Sequence, residues 1–359
     1  MPCGAAGGAA AWAMYTARQA HSSLAPMRSI TSPSCLVLGL TAFLAGFSAH
    51  GASQGQLTAE QRTQFLAELK NAHGIADAAA LLDQASYQQS IIDAITRPAE
   101  AKPWKDYRPI FLTADRIAKG RAFLETHRAA LKQVEADTGV PAAIVVAILG
   151  VETNYGSNTG RYRVLDALYT LGFFHKPRAT FFRGELAQAF ALAKEESLDL
   201  ATITGSYAGA MGWGQFIPSS YRAYAVDGDG DGQRDLWNSL PDVFASVANY
   251  FKVHKWQAGE PVAIPALRAK DARDFKPDSL EAKFSLAELE HKGYRPAHAL
   301  GHDVPATLLR LEGNSGPEYW ITFNNFHVIS RYNRSPLYSM AVFQLAQSIA
   351  ATDSATLAP

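Results

Sequence analysis

At 359 residues the chain is long enough for two or three domains around a sizeable core. A composition of 48% apolar and 18% charged residues is ordinary globular material and excludes a disordered or fibrous protein. Lys plus Arg and Asp plus Glu balance at 33 each, so there is no basic field to attract nucleic acid, and none is expected as a partner.

The first 52 residues are expected to lie outside the fold. Residues 27–52, MRSITSPSCLVLGLTAFLAGFSAHGA, combine Arg28, an apolar run from Cys35 to Phe47, and the small residues Ala49, Gly51 and Ala52. A charge, an apolar run and a small-residue cleavage site make a secretory signal. The run is too short for a membrane span, which needs about 20 apolar residues. Residues 1–52 are read as a leader whose true start is Met27, and no Leu-x-x-Cys lipid-attachment pattern surrounds Cys35. A soluble exported protein is expected. Cys3 and Cys35 both precede the cut, so the mature chain has no disulfide, no thiol nucleophile and no cysteine-ligated zinc.

From Thr58 to Asp137 the pattern is helical. Thr58 with Gln61 forms a capping-box signature, and Gly74 sits where the first helix stops. A stretch ending at Pro98 is followed by a polar linker, AEAKPWKDYRP. Thr113 then opens a stretch with apolar spacing through Ile117, Phe123, Leu124, Leu131 and Val134, and Gly139 and Pro141 mark a stop and a new start. Between Pro141 and Trp256 helices alternate with loops rich in Gly, Asn and Asp. Beyond Gly259, Tyr319, Ile321 and Phe323 alternate with Trp320, Thr322 and Asn324 beside a Gly-Asn-Ser-Gly turn. That is strand alternation. The expected organisation is a helical domain at 53–138, a core at 139–260, a small antiparallel β subdomain at 261–333, and a C-terminal helix and tail at 334–359.

Three stretches carry chemistry. AILGVETNYGSNTGRY ends an apolar helix on Glu152, on one stripe with Ile144 and Ile148. A carboxyl stripped of water there has a raised pKa and suits general acid catalysis. Spacing alone leaves open an exposed Glu at a fraying helix end. YAVDGDGDGQRDLWNSLPD places Asp227, Asp229 and Asp231 at positions 1, 3 and 5 of a calcium loop, with Gly232 at 6, the Gln233 carbonyl at 7 and Asp235 at 9. Position 12 is Asn238 instead of Glu, and Asp242 could supply the missing carboxylate. The alternative is a solvated acidic turn, but three alternating Asp repel one another without a cation. GSYAGAMGWGQFIPSSYRAYA offers Tyr207, Trp213, Phe216, Tyr221 and Tyr224 as flat faces for sugar rings, and Ser206, Gln215 and Ser219 as hydrogen-bonding groups. Core packing accounts equally well for about half of those aromatics. Arg178 is a candidate for anionic substrate groups or a solvated surface residue. GxSxG, HExxH and phosphate-loop patterns are absent.

Taken together, GVETNYG, YAGAMGWGQFIPSSY and AVDGDGDGQRDLW…SVANYF resemble the membrane-bound lytic murein transglycosylase B family, glycoside hydrolase family 103, over roughly residues 58–350. The resemblance implies a mainly α (α+β) protein. Its parts would be a lysozyme-like catalytic core, a helical domain, a small antiparallel β subdomain and one EF-hand-like calcium site. It implies Glu152 as sole acid/base, and Tyr107, Arg178, Ser206, Gln215, Tyr250, Tyr332 and Asn333 along the substrate groove. Calcium (Ca2+), with no organic cofactor, would be held by Asp227, Asp229, Asp231, Gln233 and Asp242. Two departures from the family pattern are Asp229, where Ser is expected, and one extra residue before Asp242.

Cleavage between N-acetylmuramic acid and N-acetylglucosamine with closure of a 1,6-anhydro ring is the expected reaction. A hydrolytic muramidase and a non-catalytic peptidoglycan-binding protein are the alternatives. Peptidoglycan glycan strands are the expected partner, with other cell-wall enzymes as further partners. A monomer, soluble in the periplasm after signal cleavage, is expected.

Overall fold

The computed structural model describes residues 55–97 and 102–351, so the leader and its cleavage site lie outside the described residues. The first helices are α1 (Ala59–His73), α2 (Ala79–Leu82), α3 (Gln89–Thr96), α4 (Trp104–Phe111), α5 (Ala114–Thr126) and α6 (Arg128–Thr138). The expected capping box is present at α1: the Thr58 hydroxyl accepts from the Gln61 amide at 3.1 Å, and the Gln61 side chain accepts from the Thr58 amide at 3.0 Å. Gly74 ends α1 in the left-handed region, and Thr113 caps α5 through the Arg116 amide. The helical stretch opened by Thr113 breaks at His127 into α5 and α6.

Within the expected polar linker, residues from Trp104 onward are the helix α4 instead. The charged and proline residues of that segment hide an apolar face. Trp104, Tyr107 and Phe111 fall three and four residues apart, and all three are buried.

The centre of the molecule is α7 (Ala142–Thr153), in which every residue except Ala143 is buried. A helix that is apolar all round must be enclosed on every side. It is enclosed by α5, α6, and two later helices, after which the chain continues through β1 (Tyr162–Arg163), α8 (Val164–Phe174), a 3-10 turn at Lys176–Arg178, α9 (Ala179–Glu195), β2 (Thr204–Gly205), α10 (Pro218–Tyr224) and α11 (Leu240–Val253). One contiguous apolar core runs from Phe65 to Ile349 and draws side chains from the N-terminal helices, from α7 and from the C-terminal helix.

The remaining elements are β3 (Ala263–Arg268), α12 (Leu286–His291), β4 (Tyr294–Pro296), β5 (Ala306–Gly313), β6 (Gly316–Phe323), α13 (Asn324–Tyr332) and α14 (Pro336–Ala350). The strands form one antiparallel sheet in the order β4-β3-β6-β5, and β5 and β6 make a hairpin whose register pairs Gly313 with Gly316. Its two faces are used differently. Leu308, Ile321 and Phe323 fill a small separate core with Leu289 and Tyr294, whereas Leu309, Leu311 and Trp320 face the main core. The alternation stops at Phe323. Asn324 opens α13 rather than continuing the strand, and Phe326, Val328 and Ile329 bury one face of that helix. Among the described residues no single helix is long and apolar enough to cross a membrane.

Candidate active site

Glu152 lies in the last turn of α7, and the helix ends one residue later, at Thr153, because Asn154, Tyr155 and Gly156 all take left-handed backbone conformations. Thr153 fixes this end. Its hydroxyl accepts from the Gly156 amide at 3.1 Å and reaches the Trp213 carbonyl, also at 3.1 Å, tying the helix to the Gly-rich loop.

The Glu152 side chain is 2% exposed, so the fraying-end reading does not hold. Its Oε1 accepts a hydrogen bond from the Tyr338 hydroxyl at 2.6 Å, while Oε2 is buried with no hydrogen-bond partner among the described residues. Burial pushes the Glu152 carboxyl up to about 8, against a smaller lowering by the Tyr338 hydrogen bond. That rise favours the protonated acid at neutral pH.

A pocket opens beside it, lined by Glu152, Gln215, Phe216, Ile217, Ser220, Tyr250, Arg331, Tyr332 and Asn333. Four of the expected groove residues, Gln215, Tyr250, Tyr332 and Asn333, thus meet Glu152. Gln215 adopts φ 53°, and its amide donates to the carbonyls of Thr159 at 3.1 Å and Gly212 at 3.0 Å. Tyr332 donates to the Gly214 carbonyl and Tyr250 to the Arg331 carbonyl, so the two phenols clamp the loop and α13 around the acid. The Tyr250 and Tyr332 rings are 4.9 Å apart. Tyr107, buried on α4, also sits in the field of Glu152; burial first, then that carboxylate, raises its phenol. Its hydroxyl is buried with no hydrogen-bond partner among the described residues.

Ser206 and Arg178 are placed elsewhere and do not line this pocket. The Ser206 hydroxyl accepts from the amides of Ala208 and Ala210 at 3.3 and 3.0 Å, which makes it the cap of a tight turn. Arg178 lies over the Phe181 ring at 4.2 Å, in the electrostatic field of the buried Glu185. Asp166, the other acid near Glu152 in sequence, is bound by the Arg163 guanidinium at 2.6 and 2.9 Å and by the Ser86 amide.

Sequence reasoning missed Tyr338, Ser220 and Arg331. Tyr338 is 186 residues from the acid it touches, and no local pattern marks it beyond its place three residues after the helix cap Ser335.

The acidic loop follows the expected turn, with Gly232 at φ +90° and open space around it. Its glycine is demanded by backbone conformation, not by crowding. Asp227, Asp229 and Asp242 each bring a carboxylate oxygen within 4.8 Å of the others. Asp242 is buried at the start of α11, accepting from the Gly228 and Asp235 amides at 2.7 Å each. Amides of Gly232 and Gly230 hold Asp227 below the usual carboxylate range. None of these three acids forms an ion pair with Lys or Arg among the described residues. Three hard oxygens without a protein cation suit a hard divalent ion. Asp231 is not part of this convergence; it turns back to accept from the Gln233 amide at 2.8 Å.

Known proteins resemble the chain over most of its length. The model of the transglycosylase SLT domain family matches residues 58–347. Membrane-bound lytic murein transglycosylase B of Escherichia coli is 40% identical over 299 residues, which is 80% of this chain and 82% of that protein. The catenated lytic transglycosylase SltB1 of Pseudomonas aeruginosa superposes with a TM-score of 0.78 at 48% identity, covering 82% of this chain and 98% of that one. Escherichia coli Slt35, solved in complex with calcium, gives a TM-score of 0.74 at 40% identity over 80% of this chain and 92% of that one. Pseudomonas aeruginosa SltB3, solved with NAG-anhNAM-pentapeptide, gives 0.72 at 31% identity over 81% and 78%. These matches put the helical core in the lysozyme-like class that the motifs imply. From Thr58 to Gln347 the chain belongs to the transglycosylase SLT domain family.

Proposed function

We propose that the chain is a peptidoglycan lytic transglycosylase that cuts between N-acetylmuramic acid and N-acetylglucosamine with a single acid/base, Glu152. One observation carries the reading: among the described residues Glu152 is the only carboxyl side chain lining its pocket, and it is buried, with its carboxyl pushed up to about 8. Glycosidases that use water or a covalent intermediate ordinarily need two carboxyl groups flanking the bond. A lone acid is sufficient when the substrate supplies the second group.

The chemistry follows from the two oxygens of Glu152. Tyr338 donates to Oε1, so the proton sits on Oε2, the oxygen with no partner among the described residues. Oε2 gives that proton to the glycosidic oxygen as the bond to the muramic C1 breaks. The muramic N-acetyl group stabilises the oxocarbenium-like centre. The carboxylate then takes the proton of the muramic C6 hydroxyl, whose oxygen closes onto C1. The product is a 1,6-anhydro ring, no water is consumed, and Glu152 regains its proton. Gln215, Tyr250, Tyr332 and Asn333 hold the sugars beside the acid, and Tyr107 flanks the groove within the field of Glu152. Arg178 and Ser206 act, on this reading, further along the groove.

A structural calcium ion would be held by Asp227, Asp229 and Asp242, with Asp231 and the Gln233 carbonyl as further oxygen ligands. The acidic cluster supports this, as does the calcium in the Slt35 complex. A periplasmic location, reached by cleavage after the apolar run 35–47, suits a substrate found in the cell wall. The chain divides into segments 53–138, 139–260, 261–333 and 334–359, which all contribute side chains to one apolar core.

Mass spectrometry of muropeptides released from purified sacculi tests the reaction. Products lighter by one water than the corresponding reducing-end species support the lytic route. Reducing ends alone would make the protein a hydrolytic muramidase.

A further inference from the structure

On the far side of the Gly-rich loop lies a second cleft, of about 380 Å³, that contains none of the residues lining the Glu152 pocket. Its size falls within the roughly 300–1,000 Å³ of small-molecule sites. We infer that this cleft, built around Trp237, is a second saccharide site that holds a neutral N-acetylhexosamine unit of the glycan strand. The inference rests on the reading that the chain acts on peptidoglycan.

The lining has the chemistry of a sugar site. Trp237 packs one side against the buried Tyr221, with ring centroids 5.9 Å apart, and stays half-exposed. A supported, partly exposed indole in a cleft wall is a stacking platform for a pyranose ring. Thr202, Thr204, Gln233 and Asn238 add exposed hydroxyl and amide groups, and Ile203 adds an apolar contact.

Its charges are already spoken for. Arg234 is paired with Glu196, and the Asp235 carboxylate accepts from the Trp237 and Asn238 amides and from the Asn238 side chain. One positive group against two acids gives no attraction for the carboxylates of a peptide stem or for a phosphate. A neutral ring is the ligand class that remains.

The cleft is also mechanically joined to the active site. The Trp213 amide donates to the Leu236 carbonyl at 2.9 Å, and its indole donates to the Trp237 carbonyl at 3.0 Å. Trp213 lies two residues before Gln215, which lines the Glu152 pocket. The Trp237 indole reaches the Thr204 carbonyl at 3.3 Å, on the strand that leads into Ser206. The loop from Trp213 to Gln215 therefore ties the backbone of the cleft to the Glu152 pocket.

The test uses the mature chain with Glu152→Gln, so that bound glycan is not cut, and measures co-sedimentation with purified sacculi. Trp237→Ala and, independently, the blocking change Thr202→Arg should each lower retention at least fivefold. With Glu152 restored, each should cut a short soluble muropeptide within twofold of the parent rate, because a short substrate engages only the active site. Thr202 is exposed, so the second variant keeps the test valid if the first unfolds. Retention within twofold of the parent for Thr202→Arg would overturn the inference, as would an equal loss on the short substrate. Failure of the parent to form anhydro ends would instead refute the proposed reaction and leave the retention result standing by itself.

Discussion

The Tyr338 hydroxyl donates to Glu152 Oε1 at 2.6 Å, joining the C-terminal helix to the end of the central helix. Both groups are buried, and the bond decides which oxygen of the acid faces the pocket. It also favours the ionised form and so moderates the rise that burial causes.

Tyr338→Phe removes that moderation. A hydrogen bond to a charged group is worth roughly 1.5–3 kcal/mol, which corresponds to about one pKa unit or more. The alkaline limb of the kcat profile should move about one unit to higher pH, and kcat at the optimum should fall about tenfold as the carboxyl loses its fixed orientation. The pH–rate profile on soluble peptidoglycan fragments measures both. An unmoved limb would show that the tyrosine does not tune the acid.

Glu152 has a stability signature of its own. Its folded pKa is raised to about 8 from the ordinary 4.5 of a glutamate. Below the lower value the carboxyl is protonated in folded and unfolded chains alike, and its contribution is fully present. As pH climbs towards the upper value the unfolded chain ionises while the folded chain does not, and stability is lost at about 1.4 kcal/mol per unit. Glu152→Gln has no such loss. Its advantage over the parent in chemical denaturation should grow from near zero at acid pH to about 3 kcal/mol at neutrality and level off above the folded pKa. A gap independent of pH would contradict a buried neutral acid.

The acidic loop predicts two different failures. Calcium should raise the melting temperature of the parent and EDTA should lower it, because the ion binds the folded loop. Asp229→Ala, at an exposed ligand, should abolish that response and change the calcium-free melting point little. Asp242→Ala should abolish it and also cost about 1–3 kcal/mol without calcium, since the Gly228 and Asp235 amides lose their acceptor. Scanning calorimetry with and without calcium separates the two. A parent indifferent to calcium and EDTA would refute the site.

What the sequence made legible was local. Thr58 with Gln61, Gly74, Thr113 and Gly139 mark helix ends by short-range hydrogen bonds and backbone preference, and the structure has them where the residues place them. The hairpin of β5 and β6 was visible because period-two alternation is a short-range property. Glu152 stood out because an apolar stripe with one acid is unusual.

What was hidden is tertiary. Helix α4 reads as polar linker until its three aromatic residues find a core to enter. Tyr338 is indistinguishable in sequence from any other helical tyrosine. Alternate aspartates mark an acidic loop but not the direction of each side chain, and Asp231 points into its own turn.

The measurement closest to the central claim is the product spectrum of Glu152→Gln. Glutamine keeps the shape and accepts the Tyr338 hydrogen bond, but it can neither donate the proton nor take it back. General acid–base groups are ordinarily worth 10²–10⁴-fold, and a residue that performs both steps belongs at the top of that range or beyond it. Mass spectrometry of digested sacculi should find almost no 1,6-anhydro muropeptides, from a variant that folds with an unchanged calcium response. Anhydro products formed at more than about a tenth of the parent rate, a barrier change of only about 1.4 kcal/mol, would contradict the assignment of Glu152 as the sole acid/base.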